Sequence, residues 1–419
     1  MSAPSRLRLL EVRIAGAAAG ALRHASRYSF SYHRDDPSQR PVGLLMPPTQ
    51  LEYADTALFP VMDQNLPEGF LFARLRELFP KQPLTPMHLL ALIGTNGIGQ
   101  LGFQLPDGTP AARPQHIARE EILCAKVDGA LFGQLVRAYL STGVGISGLQ
   151  PKILVPDRAT WTVPNLIVKA GSPAYPGLAA NEFVCLEAAR LAGIAVSAHE
   201  LAQSGELLVL ERFDLQPDGT RLGFEDIAAL MGLQVRDTLS DRKYQGSYAA
   251  IAEALNLLGM GRELERFFEQ VAFCAMVRNG DAHLKNFGVL YTGPADARLA
   301  PMFDVVTTAV YKYERFAGGP PAEDHTMALK LFKGRGSRVY PSTADLLRFG
   351  REICHVREPR LVLERIAQGM AGALDQARRD ARVPPTLLSD MGQCWERGFD
   401  YAREARSSAV AQGPRPAPD

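Results

Sequence analysis

Several features of secreted, membrane-spanning and nucleic-acid-coating proteins are scarce in this chain of 419 residues. Its five cysteines are an odd number with no C-x-x-C pair, which argues against a disulfide framework and against a zinc ribbon. No stretch approaches the roughly 18 consecutive apolar residues of a membrane-spanning helix. Lys and Arg number 46 against 45 Asp and Glu, so no global basic charge exists to hold nucleic acid or an anionic membrane. We expect a soluble, cytoplasmic protein with no membrane contact.

The composition is that of a globular protein. Hydrophobic residues make up 46% of the chain and charged residues 22%, which is enough apolar material for two or three domains with cores. A disordered or collagen-like chain is excluded. Near the start, Glu11 and Arg13 interrupt what would be the apolar part of a signal peptide, so this segment is interpreted as a strand.

The order of patterns along the chain suggests a mixed helix and strand protein. The first hundred or so residues alternate like strands in LRLLEVRIAG and YSFSYH, with helical spacing in FLFARLRELF and MHLLALIG. A middle part contains the short apolar strands ILV and LIV, the helix NEFVCLEAARLAGI and the strand ELLVLERFD. From about residue 225 the pattern is almost wholly helical, except for a loop-rich region at 280–338. This is the layout of a two-lobed nucleotide kinase, although architecture alone assigns no function.

A glycine-rich segment is the first candidate for chemistry. Gly143, Gly145 and Gly148 spell G-x-G-x-x-G, a weak signal in isolation. A dinucleotide-binding version needs a strand before and a helix after, whereas here a helical segment precedes and Pro151 with a β-branched run follows. A loop between two strands whose amides face a polyphosphate fits better. A plain hairpin turn remains the structural alternative.

Two charged residues follow in the positions that kinases use for their phosphate-binding pair. Lys169 closes the apolar strand NLIVK, and Glu182 lies near the start of the next helix. Each has an ordinary explanation, because a strand-end lysine can extend to solvent and a glutamate suits a helix N-terminus. Together they predict an ion pair that holds the lysine against the α- and β-phosphates.

The segment NGDAHLKNFG is the strongest local signal. Asp281 and Asn286 have the D-x-x-x-x-N spacing of a kinase catalytic loop, in which the aspartate accepts the hydroxyl proton and the asparagine binds magnesium. Asp304 follows in LAPMFDVV, which is interpreted as a short strand ending in a Mg²⁺-binding carboxylate. The candidate residues therefore follow one another along the chain in the order found in kinases: the glycine loop, the lysine, the glutamate, the aspartate, the asparagine and the second aspartate.

These motifs resemble the HipA family of bacterial serine/threonine kinases, the toxins of type II toxin–antitoxin pairs. The resemblance rests on GISGLQPK, NLIVKAG, NEFVCLEAARLAGI, LVLERFD, FEDIAALMGL, NGDAHLKNFGVLY and LAPMFDVV, and on FPVMDQNLPEGFLFARL nearer the N-terminus. It implies an α+β, two-lobed, protein-kinase-like fold with an extra strand-rich N-terminal subdomain. The expected boundaries are 1–110 for that subdomain, 111–220 for the ATP-binding lobe, 221–407 for an all-helical C-terminal lobe and 408–419 for a disordered tail.

The resemblance also implies roles for individual residues, with ATP and Mg²⁺ as cofactors. Asp281 would be the catalytic base, and Asn286 and Asp304 would bind magnesium. The nucleotide site would be formed by the glycine loop, the strand lysines, the adenine hinge and the rest of the catalytic loop: Gly145, Ser147, Gly148, Lys152, Lys169, Glu182, Glu211, Phe213, His283 and Lys285. Here His283 would organise the loop and Lys285 would touch the γ-phosphate.

Regulation and partners are likewise implied by the resemblance. HipA-type kinases are controlled by autophosphorylation of a serine in the glycine loop, and Ser147 is the main candidate here. A phosphate there would repel the ATP phosphates. A small helix-turn-helix antitoxin would be the partner, with DNA contacted only through it, and a translation component such as an aminoacyl-tRNA synthetase would be the substrate.

Two other functions fit parts of the sequence. Asp281, His283 and Asp304 could form a metal-dependent hydrolase site, although this leaves Lys169 and the glycine loop unexplained. A catalytically silent kinase-like module that binds a transcriptional regulator is the other alternative. The arginine-rich stretch from residue 348 to 406 is interleaved with acidic residues, as on a solvated helix face, and does not favour direct nucleic-acid binding.

Overall fold

The computed structural model contains two compact units, each built from several parts of the chain. The first comprises Met1–Ala179, Ser197–Lys243 and Gly288–Ala300, and the second Ala180–Val196, Tyr244–Phe287 and Pro301–Asp419. The structure describes residues 7–33, 39–67, 72, 77, 84–107, 116–125, 152–157, 164–171, 174–235, 237–314, 319, 321–334 and 336–411. The domain boundaries expected from the sequence stay a prediction.

A five-stranded antiparallel sheet forms the N-terminal part of the first unit. Its strand order is β4-β3-β2-β1-β5, and its strands are β1 (Leu9–Ile14), β2 (Ala17–His24), β3 (Tyr28–Tyr32), β4 (Glu52–Asp55) and β5 (Leu101–Gln104). Alternate residues of β1 are fully or almost fully buried, as the alternating pattern predicts. Their core also takes in α1 (Pro60–Asp63) and α2 (Pro86–Ile93), the second of which matches the helical spacing in MHLLALIG.

The second sheet of this unit has the order β6-β7-β9-β8 and carries the strand lysines. Its strands are β6 (Lys152–Val155), β7 (Leu166–Ala170), β8 (His199–Leu201) and β9 (Leu207–Glu211), all paired antiparallel. One face packs against α3 (Arg119–Cys124) through apolar residues that include Ile122, Val168 and Val209. The apolar runs in the middle of the sequence are therefore strands, as predicted.

A third sheet corrects the expectation of an almost wholly helical chain after residue 225. Strand β10 (Gly223–Asp226) pairs with β11 (Gly288–Tyr291), which pairs with β12 (Arg298–Leu299). Gly223 lies opposite Tyr291, whose ring covers the glycine so closely that a Cβ atom there would overlap it. These strands are only two to four residues long, too short for a periodic signal. Asp226 then caps α5 (Ile227–Leu230) by accepting from Ala229 N–H at 2.8 Å.

Six helices make up most of the second unit in the part of the chain that is described. They are α4 (Leu178–Leu191), α6 (Tyr248–Leu257), α7 (Leu264–Met276), α8 (Thr343–Arg348), α9 (Pro359–Ala377) and α10 (Pro385–Ala411), and a small hairpin pairs β13 (Tyr313–Glu314) with β14 (Pro321–Ala322). Helix α7 is buried almost all round and packs against α9 and α10. Its central position fixes the polar loop that follows it.

The end of the chain differs in detail from the expected tail. Helix α10 continues to Ala411, past the predicted start of disorder at residue 408, and residues 412–419 lie outside the described residues. Among the helices that the structure describes, none is long and apolar enough to cross a lipid bilayer.

Candidate active site

The predicted catalytic loop begins directly after helix α7 and is held by its own backbone. Arg278 adopts a left-handed conformation with φ of 60°, which ends the helix and turns the chain. Asn279 N–H then donates back to the carbonyl of Cys274 at 2.9 Å, and the Asn279 side chain accepts from Asp281 N–H at 3.1 Å. The carboxylate of Asp281 is thereby placed at the start of a fixed turn.

Asn286 links the loop to the segment that contains Asp304. Its side-chain amide donates to the backbone carbonyls of Asp281 at 3.1 Å and Asp304 at 3.3 Å. Because both donated bonds come from the amide nitrogen, the amide oxygen is the atom left for a ligand. The five-residue spacing read from the sequence thus brings the asparagine back onto the aspartate, and Asp304 is brought to the same place.

Asp304 has an unusual backbone conformation. Its φ of 51° lies in the left-handed region, which costs energy for a residue other than glycine and is often found at functional sites. The strand predicted for LAPMFDVV is absent, and a single parallel bridge between Val196 and Met302 stands in its place. The prediction of a strand was wrong because the chain turns at Asp304, where it leaves the ladder after one bridge.

The turn after Asp304 is anchored by a buried polar network. Thr307 N–H donates to the side-chain oxygen of Asn181 at 2.8 Å, and the Asn181 amide donates back to the Thr307 carbonyl at 3.1 Å. Trp395 donates from its indole nitrogen to the Thr307 hydroxyl at 2.8 Å. Reciprocal bonds of this kind in a buried site fix one conformation. They tie helix α4 and helix α10 to the segment that presents Asp304.

Tyr244 contacts the proposed catalytic base directly. Its hydroxyl donates to Oδ1 of Asp281 at 2.7 Å, and its ring packs edge-on against His283 with 5.2 Å between centroids. Tyr244 and Asp281 both line a cleft of about 270 Å³, together with Gly280, Thr308, Asp324, Thr326, Met327, Ala328 and Arg338. We call this the small cleft. Tyr244 could not be found from the sequence, because it is the last residue of the polar 3₁₀ helix Asp237–Tyr244 and belongs to no motif.

The donor set at Asp304 and Asn286 fits magnesium better than a transition metal. A carboxylate and an amide oxygen are hard ligands, the type that Mg²⁺ prefers. Within the described ranges no group of three or more His, Cys, Asp or Glu side chains is placed to hold a metal ion. That geometry argues against the hydrolase alternative, which needs His283 in such a group with Asp281 and Asp304.

Lys152 and Lys169 form a cross-strand pair in the first unit. They lie directly opposite each other on β6 and β7, so both side chains are on the same face of the sheet. They are 8% and 3% exposed respectively. Two cations on one face of a sheet can contact neighbouring phosphates of the same ligand. The sequence identified both lysines, and the antiparallel register of the strands pairs them.

Glu182 and Lys285 are placed in the second unit. Glu182 is the fifth residue of helix α4 and is almost completely buried, at 1% exposure. Lys285 is half-buried in the short turn Leu284–Asn286, and the backbone N–H of His283 in front of it donates to the Asp281 carbonyl at 2.7 Å. The predicted pairing of Glu182 with Lys169, which belongs to the first unit, stays a prediction.

The segment LERFD contains two residues with a predicted role at the adenine and two residues that form a buried ion pair. Glu211 is exposed at the end of β9 and accepts from Arg119, while the ring of Phe213 packs at 5.4 Å from that of Phe224. Their role at the adenine stays a prediction. Arg212 and Asp214 are fully buried and form an ion pair with 2.6 Å between Nη2 and Oδ2.

That buried pair anchors a loop of the N-terminal part. Arg212 donates to the carbonyl of Gly97 at 2.9 Å, and Asp214 accepts from Gly99 N–H at 2.7 Å. Arg221 donates to the same Gly97 carbonyl at 2.6 Å, and burial lowers its pKa to about 9. The sequence gave no indication of this network, because it joins residues more than 100 positions apart.

The predicted glycine loop precedes strand β6 in the sequence. Gly143, Gly145, Ser147 and Gly148 lie outside the described residues, so the predicted phosphate contacts and the predicted phosphorylation site remain predictions.

Comparison with known proteins gives the family of this chain. A family model of the HipA-like C-terminal domain matches residues 144–377, and one of the HipA N-terminal domain matches residues 10–104. Since the first model alone covers more than half of the chain, the chain belongs to the HipA family. The resemblance seen in the sequence is confirmed.

A solved structure shares the fold along nearly the whole chain. It is the HipA of Shewanella oneidensis MR-1, in a complex of a toxin–antitoxin system with HipB and operator DNA. Its TM-score is 0.66 at 17% sequence identity, over 95% of this chain and 99% of that one. At this identity the likeness establishes the fold alone, and it confirms the predicted two-lobed, HipA-like architecture.

Two curated relatives are named as kinases. "Putative kinase Y4dM" of Sinorhizobium fredii is 26% identical over 268 residues, which are 60% of this chain and 63% of the relative. A "Putative kinase" of Haemophilus influenzae is 28% identical over 197 residues, which are 42% of this chain and 56% of the relative. The matched segments thus span less than two thirds of the length of these relatives.

Proposed function

We propose that this chain is a Mg-ATP-dependent serine/threonine protein kinase of the HipA type. The observation that carries the proposal is the side chain of Asn286, which joins the backbones of Asp281 and Asp304 within 3.3 Å. In a kinase site the base and the metal-binding carboxylate must lie on either side of the transferred phosphoryl group. One amide that holds both segments is the arrangement that this chemistry requires.

The transfer step would use Asp281 as the base. The acceptor hydroxyl would enter the small cleft and give its proton to the Asp281 carboxylate while its oxygen forms a bond to the γ-phosphorus. The bond between the γ-phosphorus and the β,γ-bridging oxygen breaks in the same displacement, and ADP leaves. The bond that Tyr244 donates to Oδ1 of Asp281 would restrain the carboxylate in this step.

Magnesium would be bound by the Asp304 carboxylate and the Asn286 amide oxygen, and would neutralise charge on the β- and γ-phosphates. The left-handed backbone at Asp304 aims its side chain away from the path of an ordinary strand. The Asn181–Thr307 bonds keep that conformation fixed. These bonds would restrain the backbone next to Asp304 when the metal binds.

The nucleotide would be held mainly by the first unit. The paired Lys152 and Lys169 supply two positive charges on one face of their sheet, which suits the α- and β-phosphates. Glu182 would orient Lys169, Lys285 would contact the γ-phosphate, and Glu211 and Phe213 would line the adenine. The glycine-loop amides at Gly145 and Gly148 would cover the phosphates.

Regulation and partners complete the proposal. Autophosphorylation of Ser147 would place about −1.5 to −2 charges where the ATP phosphates bind and so block the site. The similarity in fold to a HipA found with HipB and operator DNA supports a helix-turn-helix antitoxin as partner, with DNA bound through it. An aminoacyl-tRNA synthetase is our proposed substrate, and the cytoplasm is the proposed location.

Intact-mass spectrometry after incubation with Mg-ATP tests this proposal. It compares wild-type protein with the variants Ser147→Ala and Asp281→Asn. We expect one added phosphate on wild type, mapped to Ser147, and none on Asp281→Asn. The Ser147→Ala protein should gain no phosphate itself and still phosphorylate a protein in cell extract. Phosphate on Asp281→Asn at the wild-type rate would show that Asp281 is not the base.

A further inference from the structure

A second, larger cleft adjoins the small cleft in the second unit. It has a volume of about 660 Å³ and is lined by Tyr244, Gln245, Gly246, Ser247, Ala250, Lys330, Phe332, Lys333, Gly334, Gly336, Ser337 and Arg338. Tyr244 and Arg338 line both clefts, so the two lie side by side. We call the larger one the basic cleft. The tyrosine that donates to Asp281 therefore belongs to both linings.

Charge differs between the two neighbouring clefts. The small cleft is lined by the carboxylates of Asp281 and Asp324 and by Arg338. Among the residues that the structure describes, the lining of the basic cleft includes the cations Lys330, Lys333 and Arg338 and no Asp or Glu. An elongated ligand that lies across both clefts would meet carboxylates at one end and lysine ammonium groups at the other.

The charges of the cations in the basic cleft can act on a ligand, because two of them donate to neutral groups and the third is in an exposed ion pair. The Lys330 ammonium donates to the carbonyl of Gly334 at 3.2 Å, and Arg338 donates to the carbonyl of Ala328 at 3.4 Å, so each is bonded to a neutral group. Lys333 pairs with Glu253, and both side chains of this pair are more than half exposed. An exposed pair of this kind contributes little to stability and can exchange partners.

The backbone that carries Lys330 is hydrogen-bonded to the start of helix α6. The backbones of Lys330 and Ser247 form an isolated parallel β-bridge. The Lys330 carbonyl accepts from Tyr248 N–H at 2.9 Å, and the Leu331 carbonyl accepts from Ala249 N–H at 3.1 Å. Leu331 is itself buried. The segment is thus fastened to the N-terminus of helix α6, directly after Tyr244. The cations are therefore held at a fixed place relative to Tyr244 and Asp281.

We propose that the basic cleft binds an acidic segment of the protein substrate, beside the serine or threonine that enters the small cleft. This inference rests on the proposed kinase function. A polypeptide is the occupant that fits, because one end must present a hydroxyl to Asp281 and the other must carry negative charge to Lys330 and Lys333. The substrate would carry Asp or Glu at a fixed distance in sequence from the phosphorylated residue.

The test compares peptides with the full-length protein. A fluorescent serine peptide with flanking Glu residues and its Gln counterpart are titrated by anisotropy, and their phosphorylation is followed by mass spectrometry. The variant Lys330→Glu/Lys333→Glu reverses the charge of the cleft without touching the catalytic residues. Arg378→Glu is the matched control, because Arg378 is also an exposed cation in an ion pair, with Asp375 on helix α9.

We expect wild type to bind the acidic peptide about tenfold tighter than the neutral one, in line with the effect of complementary charge. The double variant should lose this preference through a higher KM at similar kcat, while Arg378→Glu keeps it. If wild type transfers phosphate but does not prefer acidic peptides, the inference about the basic cleft is wrong and the kinase proposal stands. No transfer by wild type to any peptide or to itself would overturn the kinase proposal, and the inference with it. A double variant that loses binding of a DNA oligonucleotide but not of the acidic peptide would identify a nucleic-acid site and contradict the inference.

Discussion

The hydroxyl of Tyr244 donates a hydrogen bond of 2.7 Å to Oδ1 of Asp281, from a position 37 residues earlier in the chain. The bond restrains the orientation of the Asp281 carboxylate. It also places an aromatic ring between the small cleft and the basic cleft, since Tyr244 lines both. Tyr244 is therefore a positioning residue for the proposed base.

Tyr244→Phe should lower kcat about 10- to 100-fold, since a hydrogen bond to a charged group contributes about 1.5–3 kcal/mol and about 1.4 kcal/mol changes a rate tenfold. The KM for ATP should be unchanged, because the lost bond goes to the proposed base and not to a proposed nucleotide ligand. Steady-state kinetics measure both. Tyr313→Phe, at an exposed tyrosine, is the control and should match wild type. Unchanged kcat in Tyr244→Phe would show that the carboxylate is positioned without this bond.

Asn286 can be dissected with two substitutions. Asn286→Ala removes both the donated bonds and the metal-ligand oxygen, so phosphate transfer should fall about 100-fold or more. Asn286→Asp keeps an oxygen ligand but cannot donate to the carbonyls of Asp281 and Asp304. The Asn286→Asp variant should reach half of its maximal rate at the same Mg²⁺ concentration as wild type, but its kcat should be lower. Magnesium titrations of the rate separate the two effects, and equal behaviour of both variants would contradict the division of roles.

Gly280 is a position where only glycine fits. A Cβ atom there would lie 2.7 Å from the backbone carbonyl oxygen of Thr326 and 3.0 Å from the Thr308 hydroxyl. Because a carbonyl cannot rotate away, Gly280→Ala should cost about 1–3 kcal/mol and displace Asp281. We expect a lower melting temperature by calorimetry together with lower activity. Gly392→Ala, in the open on helix α10, is the control and should be neutral or stabilising.

Glu225 gives the first unit a pH-dependent stability. It is fully buried, and desolvation raises its pKa from 4.5 to about 7, although it accepts from Leu44 N–H at 2.6 Å and from the Tyr291 hydroxyl at 2.8 Å. Between those two pKa values the folded state holds a proton that the unfolded state has lost. The free energy of unfolding therefore falls as the pH rises through this range, by about 3 kcal/mol in all.

Glu225→Gln tests this linkage. Both hydrogen bonds go to the same oxygen, Oε1, so glutamine can keep them while removing the charge. The variant should be more stable than wild type above about pH 7, and the difference should shrink toward about pH 5. Thermal unfolding of both proteins across this range measures it. A stability difference that does not change with pH would mean that Glu225 has an ordinary pKa in the folded protein.

The part of the site that could be predicted from sequence is the part encoded by short-range spacing. Asp281 and Asn286 meet because a loop of five residues turns back on itself, and this follows from the motif alone. Lys152 and Lys169 were identified, and their pairing follows once NLIVK and the strand before it are recognised as an antiparallel pair. The order of strands and helices in the middle of the chain was also correct.

Long-range polar contacts could not be predicted in the same way. Tyr244 reaches Asp281 from a segment with no periodicity, and Asn181 meets Thr307 across 126 positions. Short strands such as β10 and β12 were missed because two to four residues show no repeating pattern, and Asp304 was assigned to a strand because its left-handed turn has no sequence signal. Each of these depends on where distant segments meet.

The most direct test of the central claim is a single-turnover assay of phosphate transfer with Mg-ATP, comparing wild type, Asp281→Asn and Asp304→Asn of equal melting temperature. We predict transfer by wild type and a fall of about 100-fold or more in both variants, because the first removes the proposed base and the second a proposed metal ligand. Bound ATP should remain detectable with Asp281→Asn, whose carboxylate is not a nucleotide ligand. Folded variants that transfer phosphate at the wild-type rate would contradict the assignment of Asp281 and Asp304 as base and metal ligand.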